Sequence, residues 1–281
     1  MSTRRKSVPR LLDPFRILGA RERRAHLAAY ERHLDQRDGT LDLAAMRLAR
    51  RESYLEDLAN KPVRWRGDLG AARELRTTWL VAAAKANEGE SYGVELELRR
   101  FAQRHPDGRG ADVAYLHLLL QEHYHTRLLR ELRRSCGVEA EMERPGASQR
   151  AVIQLMMWVP ERLRWILVLC GEVVGCAVFE ILREKCSLFS SQPEVEERMA
   201  ALLTEIHHDE VLHVAYLRAR LRPWAIRVAR WIAPWVAAGV MREVPQVYTL
   251  GYSRREFLAR LRRGLEIPAE IDWVDPVLQP V

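Results

Sequence analysis

The chain has 281 residues, 48% hydrophobic and 30% charged, the composition of an ordinary globular protein with a sizeable core. Its net charge of +7 by itself would suggest an acidic partner such as nucleic acid, but only four of the 45 basic residues are Lys, and the Arg are spread among 38 acids along helical segments. No nucleic-acid partner is therefore expected, and the basic run "STRRK" near the start reads as a mobile arm.

Strand signals are nearly absent, and an apolar period of 3.6 recurs throughout, so the fold class is all-α. Residues 1–66 read as an arm followed by helices over roughly 20–35 and 41–59, with "RDGT" between them and "KPVRWRGD" as a linker. Residues 70–104 are helical, with a bend expected near Gly89 and Gly93, and stop at "HPDGRG". The next helix spans 111–135 and ends before Gly137; "GVEAEMERPGAS" is a connection. A long apolar helix follows, interrupted or kinked at Pro160, and runs to about Cys186. In "SSQPE", Ser191 is the expected N-cap, with Pro193 in the first turn and Glu194 completing a capping box. That helix runs to about Leu221. The tail holds an amphipathic helix broken at Pro234, a second helix at about 253–264, and an extended end. Trp224, Trp231 and Trp235 read as a packed or partner-facing stripe, with membrane contact the weaker alternative. Three segments result: accessory helices over 1–66, a four-helix bundle over 67–222, and a helical extension over 223–281 packed on the bundle.

The four cysteines, Cys136, Cys170, Cys176 and Cys186, form no CxxC pair, which excludes a zinc ribbon or a thioredoxin motif. Buried reduced thiols are expected, and they suit a cytoplasmic location. The opening residues are basic without an apolar core, unlike a signal peptide. The most apolar run, Trp165 to Phe179, reads as too short for a membrane span.

The informative pattern is Glu122-x-x-His125 in "LLLQEHYHTRLL", repeated as Glu210-x-x-His213 in "EIHHDEVLHVAYL". Each pair places a carboxylate and an imidazole on one helix face, about one turn apart. Glu122 lies on the stripe of Tyr115, Leu118 and Leu129; Glu210 lies on that of Met199, Leu203, Ile206, Val214 and Leu217. Burying a carboxylate is costly unless something pairs with it. A dimetal site resolves the cost: two helices give Glu-x-x-His, two others give one Glu each, and this donor set suits iron or manganese.

The single glutamates follow from face and height. Glu90 sits within about 40° of the stripe of Val94, Leu98 and Phe101, and Glu97 within about 60°, at about 100° per residue. Glu90 matches the distance of the Glu122 pair from the hairpin loop; Glu97 is about two turns too near it. Glu172 is favoured over Glu180 in the same way, with Gly171 and Gly175 beside it. Asp209 and Gln121, each preceding a ligand Glu, are placed to accept the second ring N–H of His125 and His213. His207 is more in keeping with a packed neighbour of the site than a ligand, and His123, His208 and Glu205 are expected at the periphery.

The set Glu90, Glu122, His125, Glu172, Glu210 and His213 resembles that of the ferritin-like diiron-carboxylate oxidases and oxygenases. "DEVLH" looks like the D-E-x-x-H of that group, and "EGESYG…RHPDG" is similar to the first ligand helix of aldehyde-deformylating oxygenases. The long terminal extensions resemble the p-aminobenzoate N-oxygenase-like branch. That branch carries an extra His one turn before the last Glu, where this chain has Ile206, with His207 and His208 beside it. The resemblance implies two Fe ions or a mixed Mn/Fe pair, bridged by Glu122 and Glu210. It also implies O2, a small and partly apolar substrate, an electron donor, and a monomer or homodimer. N-oxygenation, hydroxylation, desaturation and deformylation stay open, as do two other activities: iron storage with ferroxidase chemistry, and tRNA hydroxylation.

Overall fold

Helix formation in this chain is set by apolar periodicity and finished by local caps. The computed structural model describes residues 10–38, 49–66, 73–105, 112–138, 145–268 and 271. Among these residues the protein is all-α, apart from one two-stranded pairing of β1 (Leu11–Leu12) with β2 (Leu265–Glu266). The helices are α1 (Ala20–Asp38), α2 (Ala49–Asn60), α3 (Arg73–Arg104), α4 (Val113–Ser135), α5 (Ala147–Trp158), α6 (Glu161–Glu184), α7 (Pro193–Arg220), α8 (Pro223–Glu243), α9 (Gln246–Thr249) and α10 (Arg254–Arg263). "STRRK", most of "RDGT", the expected helical residues 41–48 and 70–72, and the end of the tail lie outside the described residues.

α3, α4, α7 and α6 pack in a ring, each antiparallel to its neighbours. Asn87 reaches the carbonyl of Thr126 while Phe101 meets Tyr115, so α3 and α4 run in opposite directions. Trp79 donates its indole N–H to the carbonyl of Leu182 at one end, and Arg164 pairs with Glu97 at the other, which joins α3 to α6. Trp165 meets Tyr216 across α6 and α7. Consequently α4 and α6 run the same way, and the chain must cross the length of the bundle between them. α5 does part of that crossing beside α3, where Gln154 donates to the Tyr92 hydroxyl at 2.7 Å and the carbonyl of Met157 accepts from Arg100.

One hydrophobic core runs through all three expected segments, from Leu12, Tyr30 and Leu34 to Phe257 and Leu261. Tyr30 of α1 stacks on Tyr216 of α7 with ring centroids 4.8 Å apart. The fully buried Arg218 donates to the carbonyl of Asp13 at 2.7 Å, tying the N-terminal arm to α7. All four cysteines are free and buried.

Three local expectations are corrected. Gln192, not Ser191, is the N-cap residue of α7, and no side-chain capping bond forms. A 3-10 turn over Cys186–Phe189 delays the helix, Arg76 reaches the Ser191 hydroxyl at 3.4 Å, and the Gln192 amide is engaged with the backbone of Arg66. α8 passes through Pro234 without interruption. A proline there removes one backbone bond, to the carbonyl of the exposed Arg230. Packing of the opposite face on α6 holds the helix across that gap. Finally, the segment Glu161–Phe189 is long and apolar enough to cross a membrane, contrary to the reading of Trp165–Phe179 alone. Its most apolar window is 72% buried inside the protein, as befits the core helix of the bundle.

Candidate metal centre

The two Glu-x-x-His pairs face each other across α4 and α7 near mid-bundle. His125 and His213 are fully buried, with ring centroids 5.7 Å apart. Both turn Nδ1 inward. His213 Nδ1 lies 2.6 Å from Glu122 Oε1 and 3.4 Å from Glu172 Oε2. His125 Nδ1 lies 3.5 Å from Glu122 Oε2 and 3.3 Å from Glu210 Oε1. The two oxygens of Glu122 thus address different histidines, the placement of a bridging carboxylate. One donor atom from each of Glu122, Glu172, Glu210 and His213 lies within 4.8 Å of the others.

The outward ring nitrogens are held as well. His125 Nε2 lies 3.1 Å from Asp209 Oδ2, and His213 Nε2 lies 3.0 Å from Gln121 Oε1. An acceptor at each Nε2 fixes the tautomer that leaves Nδ1 free to bind a metal.

Glu90 of α3 feels the charges of Glu122, His125, Glu172 and His213 but is not among the four residues whose donor atoms lie within 4.8 Å of one another. Glu97 and Glu180 stand elsewhere. Glu97 is paired with Arg164 at 2.9 Å and Glu180 with Arg260 at 2.9 Å. The tail therefore neutralises the second buried carboxylate of α6 from outside the bundle.

Electrostatically the centre is over-supplied with negative charge. Burial, then repulsion from Glu122, holds Glu90 well above the usual carboxylate range. Burial, then Glu122 and Glu172, does the same to Glu210. Against the cost of burial, the attraction of His213 and of His125 lowers Glu122 to about 2. His213 is buried too, yet Glu122 raises it to about 10. His125 is likewise raised against the cost of its burial, chiefly through Asp209. Protons here occupy places that a cation of higher charge would take.

Hydrogen bonding tests the fit of a metal. Glu90 Oε2, Glu122 Oε1, His125 Nδ1 and His213 Nδ1 are buried without a hydrogen bond; the 2.6 Å approach of His213 to Glu122 is not oriented as one. Buried polar atoms are almost always satisfied. Unsatisfied oxygen and nitrogen donors on facing helices, with no thiolate among them, suit iron or manganese. Gly175 lies against the cluster: a Cβ there would stand 3.7 Å from Glu210 Oε2, in ordinary contact.

The peripheral residues divide. His123 is exposed and Glu205 half-buried. His207 is buried, with its Nε2 3.2 Å from the carbonyl of Glu266. His208 is not peripheral but buried, because α1 covers that face of α7 and stacks His33 on it at 5.7 Å. Sequence reasoning missed two features. The thiol of Cys176 stands near the carboxylates, and burial followed by Glu210 raises its pKa well above the usual value; its position one turn after Glu172 was the available signal. A cleft at the α3–α4 end of the bundle is lined by Arg100, Arg104, Arg164 and Arg220 with Glu97, Asp112 and Glu161. Pairing of Arg164 with Glu97, Arg220 with Asp112 and Arg104 with Glu161 makes it an ion-pair network. No family model, curated protein or solved structure matches the chain.

Proposed function

We propose that the protein is a ferritin-like, non-haem diiron oxidase or oxygenase acting on a small, partly apolar organic substrate. The observation that carries this reading is the approach of donor atoms from Glu122, Glu172, Glu210 and His213 to within 4.8 Å of one another, with His125 Nδ1 3.3 Å from Glu210 and 3.5 Å from Glu122. Two features support it: Glu90 Oε2, Glu122 Oε1, His125 Nδ1 and His213 Nδ1 are buried without a hydrogen bond, and the bundle has a single long crossover, as ferritin-like folds do.

Glu90, Glu122, His125, Glu172, Glu210 and His213 would hold two iron ions, or one manganese and one iron. Bound there, the metals would supply activation of O2 and the redox equivalents for oxidising a substrate. The remaining work belongs to the chain. Asp209 and Gln121 orient the imidazoles. Glu122 spans the two histidines. Buried walls from α4, α6 and α7 keep bulk water away.

The test is anaerobic loading with Fe(II), followed by O2 addition and mass spectrometry of pocket-bound and added organic molecules. Two metals per chain and O2-dependent oxidation of an organic molecule are expected. O2 consumed only in oxidising excess Fe(II), by a particle of cage size in size-exclusion chromatography, would establish iron storage instead. Co-purifying tRNA carrying a hydroxylated base would establish the tRNA hydroxylase.

A further inference from the structure

α8 presents two different faces. One, made of Ala225, Ile226, Ala229, Ala233 and Ala237, is buried. Its small side chains let the helix sit close on α6, where the Cys170 thiol reaches the carbonyl of Ala229 at 3.4 Å. The opposite face carries Trp224, Val228, Trp231 and Trp235, which fall within about 40° of one line at about 100° per residue. These indoles are not packed: Trp231 is 73% exposed, Trp235 71% and Trp224 44%. Over about 16 Å of helix the surface therefore offers three large amphipathic rings in a row.

The charge around them is one-sided. Arg227 and Arg230 flank the stripe and are exposed, and Arg242 continues its line. Between Arg222 and Glu243 there is no acidic residue. Residues 222–243 contain four Arg and one Glu, a net +3 on the helix that bears the exposed tryptophans.

We propose that the outer face of α8 is a docking surface for an anionic lipid bilayer, on which the helix lies parallel to the surface. Indoles favour the headgroup level, where the ring is apolar and the N–H stays wet. Arginines beside them keep their stems on the apolar boundary and their guanidinium groups at phosphate depth. Charge complementarity selects anionic over neutral lipid. A second copy of this chain would bring an equally basic surface against this one, and that repulsion disfavours it as the occupant. The inference stands independently of the metal centre.

Co-sedimentation of the full-length protein with phosphatidylglycerol-containing and pure phosphatidylcholine vesicles tests it. Binding to the anionic vesicles is expected, with a blue shift of tryptophan emission and loss at about 0.5 M salt, where charges are screened beyond a few ångströms. The double variant Trp231→Ser/Trp235→Ser should lose at least about tenfold in partition, since each buried indole contributes a large apolar area. Arg227→Gln/Arg230→Gln should lose about fivefold per arginine on anionic vesicles and nothing on neutral ones. These side chains are exposed, and unchanged circular dichroism and metal content certify the fold. No binding to anionic vesicles overturns the proposal. So does a wild-type dimer that the tryptophan variant converts to monomer without any vesicle binding, or capture of a single-stranded oligonucleotide in place of vesicles.

Discussion

His125 of α4 and Asp209 of α7 are both fully buried, and their Nε2 and Oδ2 atoms are 3.1 Å apart. The partner of the other histidine, His213, is the neutral amide of Gln121 at 3.0 Å. A carboxylate and an amide acceptor make the two imidazoles unequal in basicity, and hence the two halves of the centre unequal as donors.

Asp209→Asn keeps the shape and removes the charge. It should weaken metal binding about 10- to 100-fold, the range for loss of such a partner, as measured by competition with a chelator of known affinity. Gln121→Leu should weaken it less. Equal affinity in wild type and Asp209→Asn would remove this role from Asp209.

Metal content should separate the glutamates. The iron-loaded protein is expected to hold about two metals per chain, and Glu122→Ala or Glu210→Ala should lose most of them. Glu97→Ala and Glu180→Ala should keep them, because those carboxylates belong to Arg164 and Arg260. Elemental analysis reads the result; full occupancy in both of the first two variants would sink the site.

Stability of the metal-free protein should fall as pH rises. Glu90 and Glu210 are raised from the 4.5 of a free carboxyl, and His213 is raised from 6.5 to about 10. The folded state therefore holds more protons than the unfolded one between these limits, and the stability they contribute is lost as pH rises through the folded values. Glu122, lowered to about 2, acts in the opposite sense only below 4.5. Thermal unfolding of the metal-free form from about pH 7 to about pH 9 should show a declining Tm. Metal affinity should rise over the same range, since binding displaces those protons. A Tm of the metal-free form that climbs with pH would contradict the protonation pattern.

Gly264 lies at the start of β2 with φ of 94°, and a Cβ there would approach the carbonyl oxygen of Leu12 to 2.7 Å. Gly264→Ala should cost about 1–3 kcal/mol, the range for a strained backbone position, with β1 forced away from β2. Urea unfolding of wild type and variant side by side measures it; no loss would mean that β1 yields freely.

What the sequence determined by itself was local. An α-helix repeats every 3.6 residues, so the spacing within each Glu-x-x-His pair already put both donors on one face, and the apolar stripes said that this face was inward. Height along a hairpin is nearly as local, which is why Glu90 and Glu172 could be separated from Glu97 and Glu180. Tertiary structure decided whatever depended on a neighbour distant in the chain. Arg260, 80 residues away, claims Glu180, and α1 buries His208. The N-cap moved to Gln192 because its amide was engaged by the backbone of Arg66. α8 shows the limit most plainly: its alanine face and its tryptophan face are both apolar, and periodicity does not rank them. The alanines went inward because small side chains let the backbone approach α6, and that left the larger apolar surface outside.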